Sequence, residues 1–183
     1  AATRGPSAQP ARVGARTCRV ILHRMVTKAA QAARHHRHNA RAFVREVAGA
    51  CDARGLRLTE IRSQVLELIA ASEKPVKAYD LLDRIRASKA ASAPPTVYRA
   101  LDFLLEHGFI HKLESINAFV ACHHPSVQHT VPFLICDNCQ LAVEMEDERI
   151  PLLLDEKARA LGFTPLAQTL EVHGLCADCR KAA

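Results

Sequence analysis

Between residues 40 and 106, apolar side chains recur every three or four positions in four successive segments. That spacing places them along one face of an α-helix, so we predict four amphipathic helices. They run over 40–53, from Thr59 to the break at Lys74-Pro75, over 78–87, and over 94–106. Thr59 is expected to cap the second helix, whereas Gly55 and Gly108 are expected to end the first and the fourth.

The spacing changes to alternation after residue 108. Residues 109–114 and 118–121 alternate around Ser115-Ile116-Asn117, which predicts a β-hairpin. Three short helices, a longer amphipathic helix and a hairpin, in this order, are typical of a winged-helix DNA-binding domain. We therefore assign residues 40–122 to such a domain, with the hairpin as its wing.

The polar face of the fourth helix carries residues that we expect to contact DNA. At about 100° per residue, Arg99 lies nearly opposite the apolar stripe and is flanked by Thr96 and Phe103. Tyr98, by contrast, is expected to face the core. An arginine can donate two hydrogen bonds to a guanine edge, which makes Arg99 the candidate for a base contact. Elsewhere, either phosphate contacts or ordinary solvated surface would explain Arg57, Arg62 and Lys77.

Residues 123–183 contain shorter apolar runs, which predict a small α/β unit. Strands are expected over 130–135, 141–145 and 163–172, and a helix over 147–161. The residues of that helix expected to face inward are Ile150, Leu153, Leu154 and Ala158. A sheet with one helix has a thin core, so we expect a bound metal and a second copy of the chain to stabilise it. The predicted fold class is α+β: a winged-helix DNA-binding domain followed by a dimerisation domain.

Charge is distributed unevenly along the chain, whose formal net charge is +6. Residues 1–45 contain ten Arg or Lys and no acid, whereas the remainder contains 15 basic and 19 acidic residues. We predict that residues 1–39 form a disordered basic extension; a DNA-phosphate arm and an organelle transit peptide are alternatives. No apolar run is long enough to span a bilayer and no secretory signal is evident, which favours a cytoplasmic protein.

Two Cys-x-x-Cys pairs mark the second domain, namely Cys136/Cys139 and Cys176/Cys179. Each pair follows a strand-like segment, and a two-residue gap lets both sulfurs of a tight turn point to one centre. Four thiolates in a tetrahedron suit a structural Zn²⁺ ion. Disulfide bonds or a redox-active dithiol are the alternatives, and a thiol-based redox protein is the competing function. Zinc is favoured because reducing conditions inside cells favour metal ligation over disulfides.

A second group of potential ligands surrounds the domain junction and comprises His111, Cys122, His123, His124, His129 and Glu144. Two imidazoles, one thiolate and one carboxylate would complete a tetrahedral shell for Zn²⁺. The sulfur matters, because imidazole and carboxylate alone would accept iron or manganese readily. The alternative is that these are separate, partly buried polar residues of a domain junction.

The fourth predicted helix carries a run that is typical of a known family: Pro94-Pro95-Thr96-Val97-Tyr98-Arg99-Ala100-Leu101-Asp102-Phe103-Leu104-Leu105-Glu106. Together with the Cys pairs and the His-rich junction, it resembles the ferric uptake regulator family over about residues 41–180, and most of all the zinc-responsive branch. The resemblance implies that the Cys pairs hold structural zinc, and it places DNA contacts at Tyr79 and Arg99. It also implies a regulatory zinc site at His111, Cys122, His129 and Glu144.

One departure from the family pattern is informative. The His-His-Asp-His run of iron-sensing relatives is missing, and Cys122-His123-His124-Pro125 stands in its place. This weakens the alternative of an iron- or peroxide-responsive regulator.

The resemblance therefore predicts a zinc-responsive repressor of zinc-uptake genes. It would bind double-stranded operator DNA as a homodimer and hold about two Zn²⁺ ions per chain. We expect no enzymatic activity, no small organic substrate and no membrane association. An RNA-binding zinc ribbon is disfavoured, because aromatic residues for base stacking make up only 4% of the chain.

Overall fold

A computed structural model describes residues 40–87, 93–125 and 130–182. The predicted basic extension (1–39), most of the loop before the fourth helix (88–92) and the predicted ligand His129 lie outside these ranges. In chain order the elements are α1 Ala40–Ala53, α2 Glu60–Ala70, α3 Ala78–Ala87, α4 Pro94–Glu106, β1 Ile110–Leu113, β2 Ala118–Ala121, β3 Phe133–Cys136, β4 Ala142–Glu144, α5 Arg149–Ala160, β5 Glu171–Gly174 and α6 Ala177–Lys181. The α+β class is confirmed, and no helix of the described ranges is long and apolar enough to cross a bilayer.

Helices α1 to α4 surround one aliphatic core, as their spacing predicts. Val47, Leu66, Leu81 and Leu104 are all completely buried in it. Gly55 and Gly108 follow α1 and α4 with φ angles of 65° and 72°, a left-handed conformation that glycine adopts without steric cost. Thr59 does precede α2, but its side chain makes no capping hydrogen bond, so that part of the prediction is wrong.

Two side chains of α4 face the opposite way from the prediction. Tyr98 was expected in the core but is 42% exposed, whereas Phe103 was expected on the polar face and is only 8% exposed. Tertiary packing explains Phe103, because the guanidinium carbon of Arg62 lies 3.5 Å from the centre of its ring. The ring of His107 also packs edge-on against it, with centroids 4.5 Å apart. A side chain from α2 therefore covers a position that α4 alone would leave open.

The wing hairpin β1–β2 is shared between two cores. It pairs antiparallel with His111 opposite Val120, and Val76 extends it through two hydrogen bonds with Phe119. Phe119 belongs to the helical core, whereas Leu113 packs with Phe133 and Ile135 of β3 in a second, smaller cluster. The hairpin therefore connects the helices to the sheet that follows.

That second sheet has the strand order β4-β3-β5, with β3 antiparallel to β4 and parallel to β5. The expected strand over 163–172 is wrong in its extent, since β5 covers only Glu171–Gly174. Pro165 interrupts the segment and cannot donate to a strand ladder, and Phe163 and Leu166 are exposed. The short helix α6 after Cys176 was not predicted at all.

Helix α5 contradicts the prediction of an inward apolar face, because none of its residues is buried. Leu153 and Leu154 are 53% and 43% exposed, while Ile150 and Ala158 are only partly covered. Three strands of three or four residues offer too little surface within one chain to cover a twelve-residue helix. The apolar stripe was identified from the sequence, but nothing in the described part of the chain covers it.

Candidate metal centres and nucleic-acid surface

The two Cys-x-x-Cys pairs meet because β3 and β5 are parallel neighbours. Parallel strands end at the same edge of a sheet, and the register aligns Cys136 with Gly174. The first pair runs from Cys136, the last residue of β3, into the turn that follows, where Gln140 adopts a φ of 61° and its amide donates to the Cys136 carbonyl at 2.8 Å. The second pair begins two residues after β5, where Cys176 caps α6.

The four sulfurs Cys136, Cys139, Cys176 and Cys179 form a compact group. All lie within 4.8 Å of one another, and the Cys139 and Cys176 sulfurs are 3.8 Å apart. They are free thiols rather than disulfides. Backbone hydrogen bonds from Cys139 and then from Cys176 lower the pKa of Cys136 to about 6. The amide of Cys176 lies 3.3 Å from that sulfur, so the backbone already favours a thiolate there.

This donor set fits a structural zinc ion. Four sulfur ligands from two knuckles, half buried at the end of a small sheet, match the closed tetrahedral sites that zinc prefers. Within the ranges that the structure describes, no other group of three or more potential ligands is equally compact. The structure thus assembles the four predicted residues, and their ligation of zinc stays a prediction.

The residues predicted for the regulatory site lie around the junction but are not equally close together. Cys122 directly follows β2 and is fully buried, and Glu144 ends β4 with 5% exposure. His111 on β1 packs its ring 5.3 Å from that of Phe133, and Phe133 pairs with Glu144 across the sheet. The wing, the junction and the second sheet each contribute one of the three described residues.

Backbone contacts connect Cys122 and Glu144 to the two histidines between them. The amide of His124 donates to the Cys122 sulfur at 3.4 Å, and the amide of His123 donates to a Glu144 oxygen at 3.4 Å. Burial raises the pKa of Cys122 to about 12, and the charge of Glu144 adds to the increase. His123 Nδ1 also lies 3.8 Å from Glu144 and 3.8 Å from Glu146.

Sequence reasoning missed Arg54, which ties the junction to the helical domain. Its guanidinium donates to the carbonyls of His107 at 3.1 Å and Pro125 at 3.0 Å, and it lies 5.4 Å from the centre of the Phe109 ring. His107 ends α4, and Pro125 follows Cys122 by three residues. An arginine after a helix carries no signal of such a contact, because both acceptors are backbone carbonyls distant in sequence.

The residues predicted to contact DNA differ in how freely they are presented. Arg99 and Thr96 are exposed on α4, Tyr79 is 75% exposed at the start of α3, and Arg57 is exposed. Arg62 is different: it stacks on Phe103 and donates to the Arg57 carbonyl at 2.5 Å. Arg62 therefore has a packing role, and its contact with a phosphate stays a prediction.

Comparison with known proteins gives a consistent result. Residues 53–173 match the model of the Ferric uptake regulator family. The Zinc uptake regulation protein of Escherichia coli (strain K12) is 44% identical over 130 residues, which cover 70% of this chain and 76% of that protein. The Zinc uptake regulation protein of Mycobacterium tuberculosis (strain CDC 1551 / Oshkosh) is 27% identical and is covered over 98% of its length.

Two solved structures are also similar. One, described as holo XcZur, is 65% identical with a TM-score of 0.73, and the match covers 76% of this chain and 98% of that one. The other is a zinc uptake regulator complexed with zinc and DNA; it is 39% identical with a TM-score of 0.75, covering 79% and 97%.

Replacing Cys139 by Ser removes one thiolate from the four-cysteine group. Zinc content should fall by about one ion per chain, and the second domain should unfold at a lower temperature, because binding free energy at a structural site adds to folding. Elemental analysis and thermal unfolding of the purified protein measure both effects. Cys51→Ala removes a thiol from the helical core and should leave the zinc content unchanged. Full zinc content in Cys139→Ser would refute the assignment.

Proposed function

Because the chain belongs to the ferric uptake regulator family, we propose that it is a zinc-responsive transcriptional repressor. It binds operator DNA as a dimer when its regulatory metal site is loaded, and it acts in the cytoplasm on genes of zinc uptake. The observation that carries this proposal is the buried pair of Cys122 and Glu144 where the wing meets the second sheet. A soft thiol and a carboxylate inside a domain junction are potential metal ligands. Binding of a metal ion by them would change how the two domains are joined.

The proposed regulatory ligands are His111, Cys122, His129 and Glu144. They come from the wing, the junction and β4, so holding one ion requires these parts to keep a single arrangement. Bound there, Zn²⁺ would supply a cross-link between the DNA-binding domain and the dimerisation domain. The sulfur of Cys122 favours zinc over iron or manganese. With the four-cysteine site, the chain would hold about two zinc ions.

Linkage sets the energy that these ligands must provide. If they hold the ion better in the DNA-competent arrangement, DNA binding and zinc binding strengthen each other by the same factor. Changing a mostly incompetent population into a mostly competent one requires a preference of about 5.5 kcal/mol. A structural zinc site contributes roughly 10–16 kcal/mol in small zinc-binding peptides, so one site can supply this preference if its ligands come together only in the DNA-competent arrangement.

The proposed DNA surface is the exposed side of α4 with the start of α3. Arg99, which is exposed, donates two hydrogen bonds to a guanine in the major groove, and Thr96 is exposed on the same helix. Tyr79 contacts a thymine methyl group or a phosphate. Arg57 is exposed and suits a phosphate contact, whereas Arg62 would have to leave Phe103 to make one.

The proposed dimer forms through residues 123–183, and residues 40–122 act as the DNA-binding domain. Helix α5 exposes an apolar surface that a single chain leaves uncovered, and Leu152, Leu153 and Leu161 are each more than half exposed. A second copy supplies the matching surface, because a two-fold interface uses the same patch on both chains. Two winged helices are then available to read two half-sites of one operator.

Other functions predict different measurements. A thiol-based redox enzyme would reduce disulfides with its Cys pairs free of metal, whereas a zinc sensor holds about two zinc ions and loses one to a chelator first. An iron- or peroxide-responsive regulator would bind its operator after addition of iron or manganese. Titration of operator binding with zinc, iron and manganese tests the proposal directly, since only zinc should support binding at low concentration.

Replacing Cys122 by Ser should abolish zinc-dependent operator binding, because the soft ligand is lost while the side-chain size is kept. Zinc content should fall from about two ions to about one per chain, and the dimer should persist. Mobility-shift assays, elemental analysis and size-exclusion chromatography measure these three quantities. Cys51→Ala is the matched thiol control and should keep both zinc and DNA binding. An unfolded Cys122→Ser protein would instead mean that Cys122 is structural.

Replacing Arg99 by Ala should cost roughly 1–3 kcal/mol of affinity for the operator, with a smaller loss on random DNA. The difference follows because a base contact contributes only on the correct sequence. Binding isotherms on both DNAs at fixed salt measure it. Arg45→Ala on α1 removes one exposed positive charge outside the proposed DNA surface and serves as the control. An equal loss on both DNAs would reduce Arg99 to a phosphate contact.

Replacing Leu153 by Asp should shift the dimer towards monomer, because a carboxylate would be buried against an apolar partner surface. Sedimentation velocity over a range of protein concentrations gives the dissociation constant. Lys74→Asp introduces the same side chain on the exposed loop after α2, outside residues 123–183, and should leave the dimer unchanged. A Leu153→Asp dimer as tight as the wild type would place the interface elsewhere.

A further inference from the structure

The tip of the wing is held by a single carboxylate of the second sheet. Glu171 on β5 accepts hydrogen bonds from the backbone amides of Glu114 at 2.6 Å and Ser115 at 3.1 Å. The Ser115 hydroxyl donates to the same carboxylate. Residues 114 and 115 begin the turn between β1 and β2, so these contacts join two segments that are 56 and 57 residues apart in the chain.

A histidine on the same face of β5 makes a second connection. His173 lies two residues after Glu171, and its Nε2 atom is 2.9 Å from the Ser115 hydroxyl oxygen. The Nδ1 atom is 2.8 Å from a carboxylate oxygen of Asp137, the residue that follows Cys136. The hydroxyl has one proton and Glu171 can only accept, so the hydroxyl donates to Glu171, and its oxygen also lies beside the His173 ring.

The electrostatics of the contact favour an ionised Glu171. Partial burial opposes this charge, but the hydrogen bonds from Ser115 and Glu114 outweigh it, and the pKa of Glu171 lies below its ordinary value. A carboxylate that accepts two consecutive backbone amides makes stronger bonds than a neutral acceptor would. The turn itself is fixed by the Asn117 amide, which donates to the Glu114 carbonyl at 3.3 Å.

We propose that Glu171 and His173 are positioning residues that form a latch between the wing tip and the four-cysteine turn, and that the latch orients the wing for DNA binding. This inference rests on the proposed function. Strand β1 of the wing begins four residues after α4 ends, so a fixed wing tip limits the angle of α4. The hairpin also carries His111, whose ring lies against Phe133.

The latch is a contact separate from the proposed regulatory ligands. It uses the far end of the hairpin, at Ser115, whereas Cys122 lies at the opposite end beside the junction. Two attachments at the ends of one hairpin restrict its rotation, which one attachment would leave free. The fold of this chain matches that of a zinc- and DNA-bound regulator with a TM-score of 0.75. The latch contacts therefore form in an arrangement close to that of the complex.

The first test measures the latch without using DNA. In Glu171→Ala, the amides of Glu114 and Ser115 lose their acceptor, and their hydrogen exchange should accelerate about tenfold or more. Glu171→Gln keeps one neutral acceptor and should give an intermediate rate. Glu156→Ala, on the exposed side of α5, is the matched control and should exchange like the wild type. Unchanged protection of both amides in Glu171→Ala would overturn the latch.

The second test measures its effect on function in the zinc-saturated full-length protein. Glu171→Ala should weaken operator binding about three- to tenfold, a modest loss because these hydrogen bonds are partly exposed. Ser115→Ala should weaken it less, and the double variant should lose less than the sum of the two, since both changes break one contact. Zinc content should stay as in the wild type.

The two tests separate the latch from the proposed function. If the wild type itself fails to bind the operator with zinc, the proposed function fails, while amide exchange still decides whether the latch exists. If exchange accelerates in Glu171→Ala but its operator affinity equals that of the wild type, the latch does not position the wing and the inference is wrong. Additive losses in the double variant would also contradict it.

Discussion

Parallel pairing of β3 with β5 is the interaction on which the rest of this structure depends. It places the ends of two strands from distant parts of the chain side by side, and the Cys-x-x-Cys turns that follow them meet as one group. The same pairing sets Glu171 and His173 beside the wing tip. Parallel strands need a long connection, which here includes β4 and α5.

The wing hairpin connects this sheet to the helices. Its side chains divide between the helical core, which takes Phe119, and the smaller cluster around Phe133, which takes Leu113. Arg54 adds a contact between the end of α4 and the junction. Both candidate metal centres therefore lie next to elements that touch the helices or the wing hairpin.

The local pattern of apolar and polar residues predicted the structure correctly where burial depends on the position of a residue within its own helix or strand. The bounds of α1, α3 and α4 follow from the spacing of apolar residues and from the glycines that end helices. A helix that packs on one side has apolar residues every three or four positions, so its buried face can be identified in the sequence. The local pattern failed where a different element determined whether a side chain is buried or exposed. Phe103 is buried because Arg62 reaches it from α2, and Leu153 is exposed because the sheet of one chain is too small to cover α5.

The sequence by itself determined the four-helix core and the hairpin that follows it, because these depend on the spacing of apolar side chains. It also grouped the two Cys pairs, since a two-residue gap between thiols has few structural uses. Only the tertiary structure decided that β5 lies parallel to β3, that Arg54 clamps the junction, and that Glu171 holds the wing tip. Those contacts join backbone groups far apart in the chain, and a backbone amide or carbonyl carries no sequence signal of its partner.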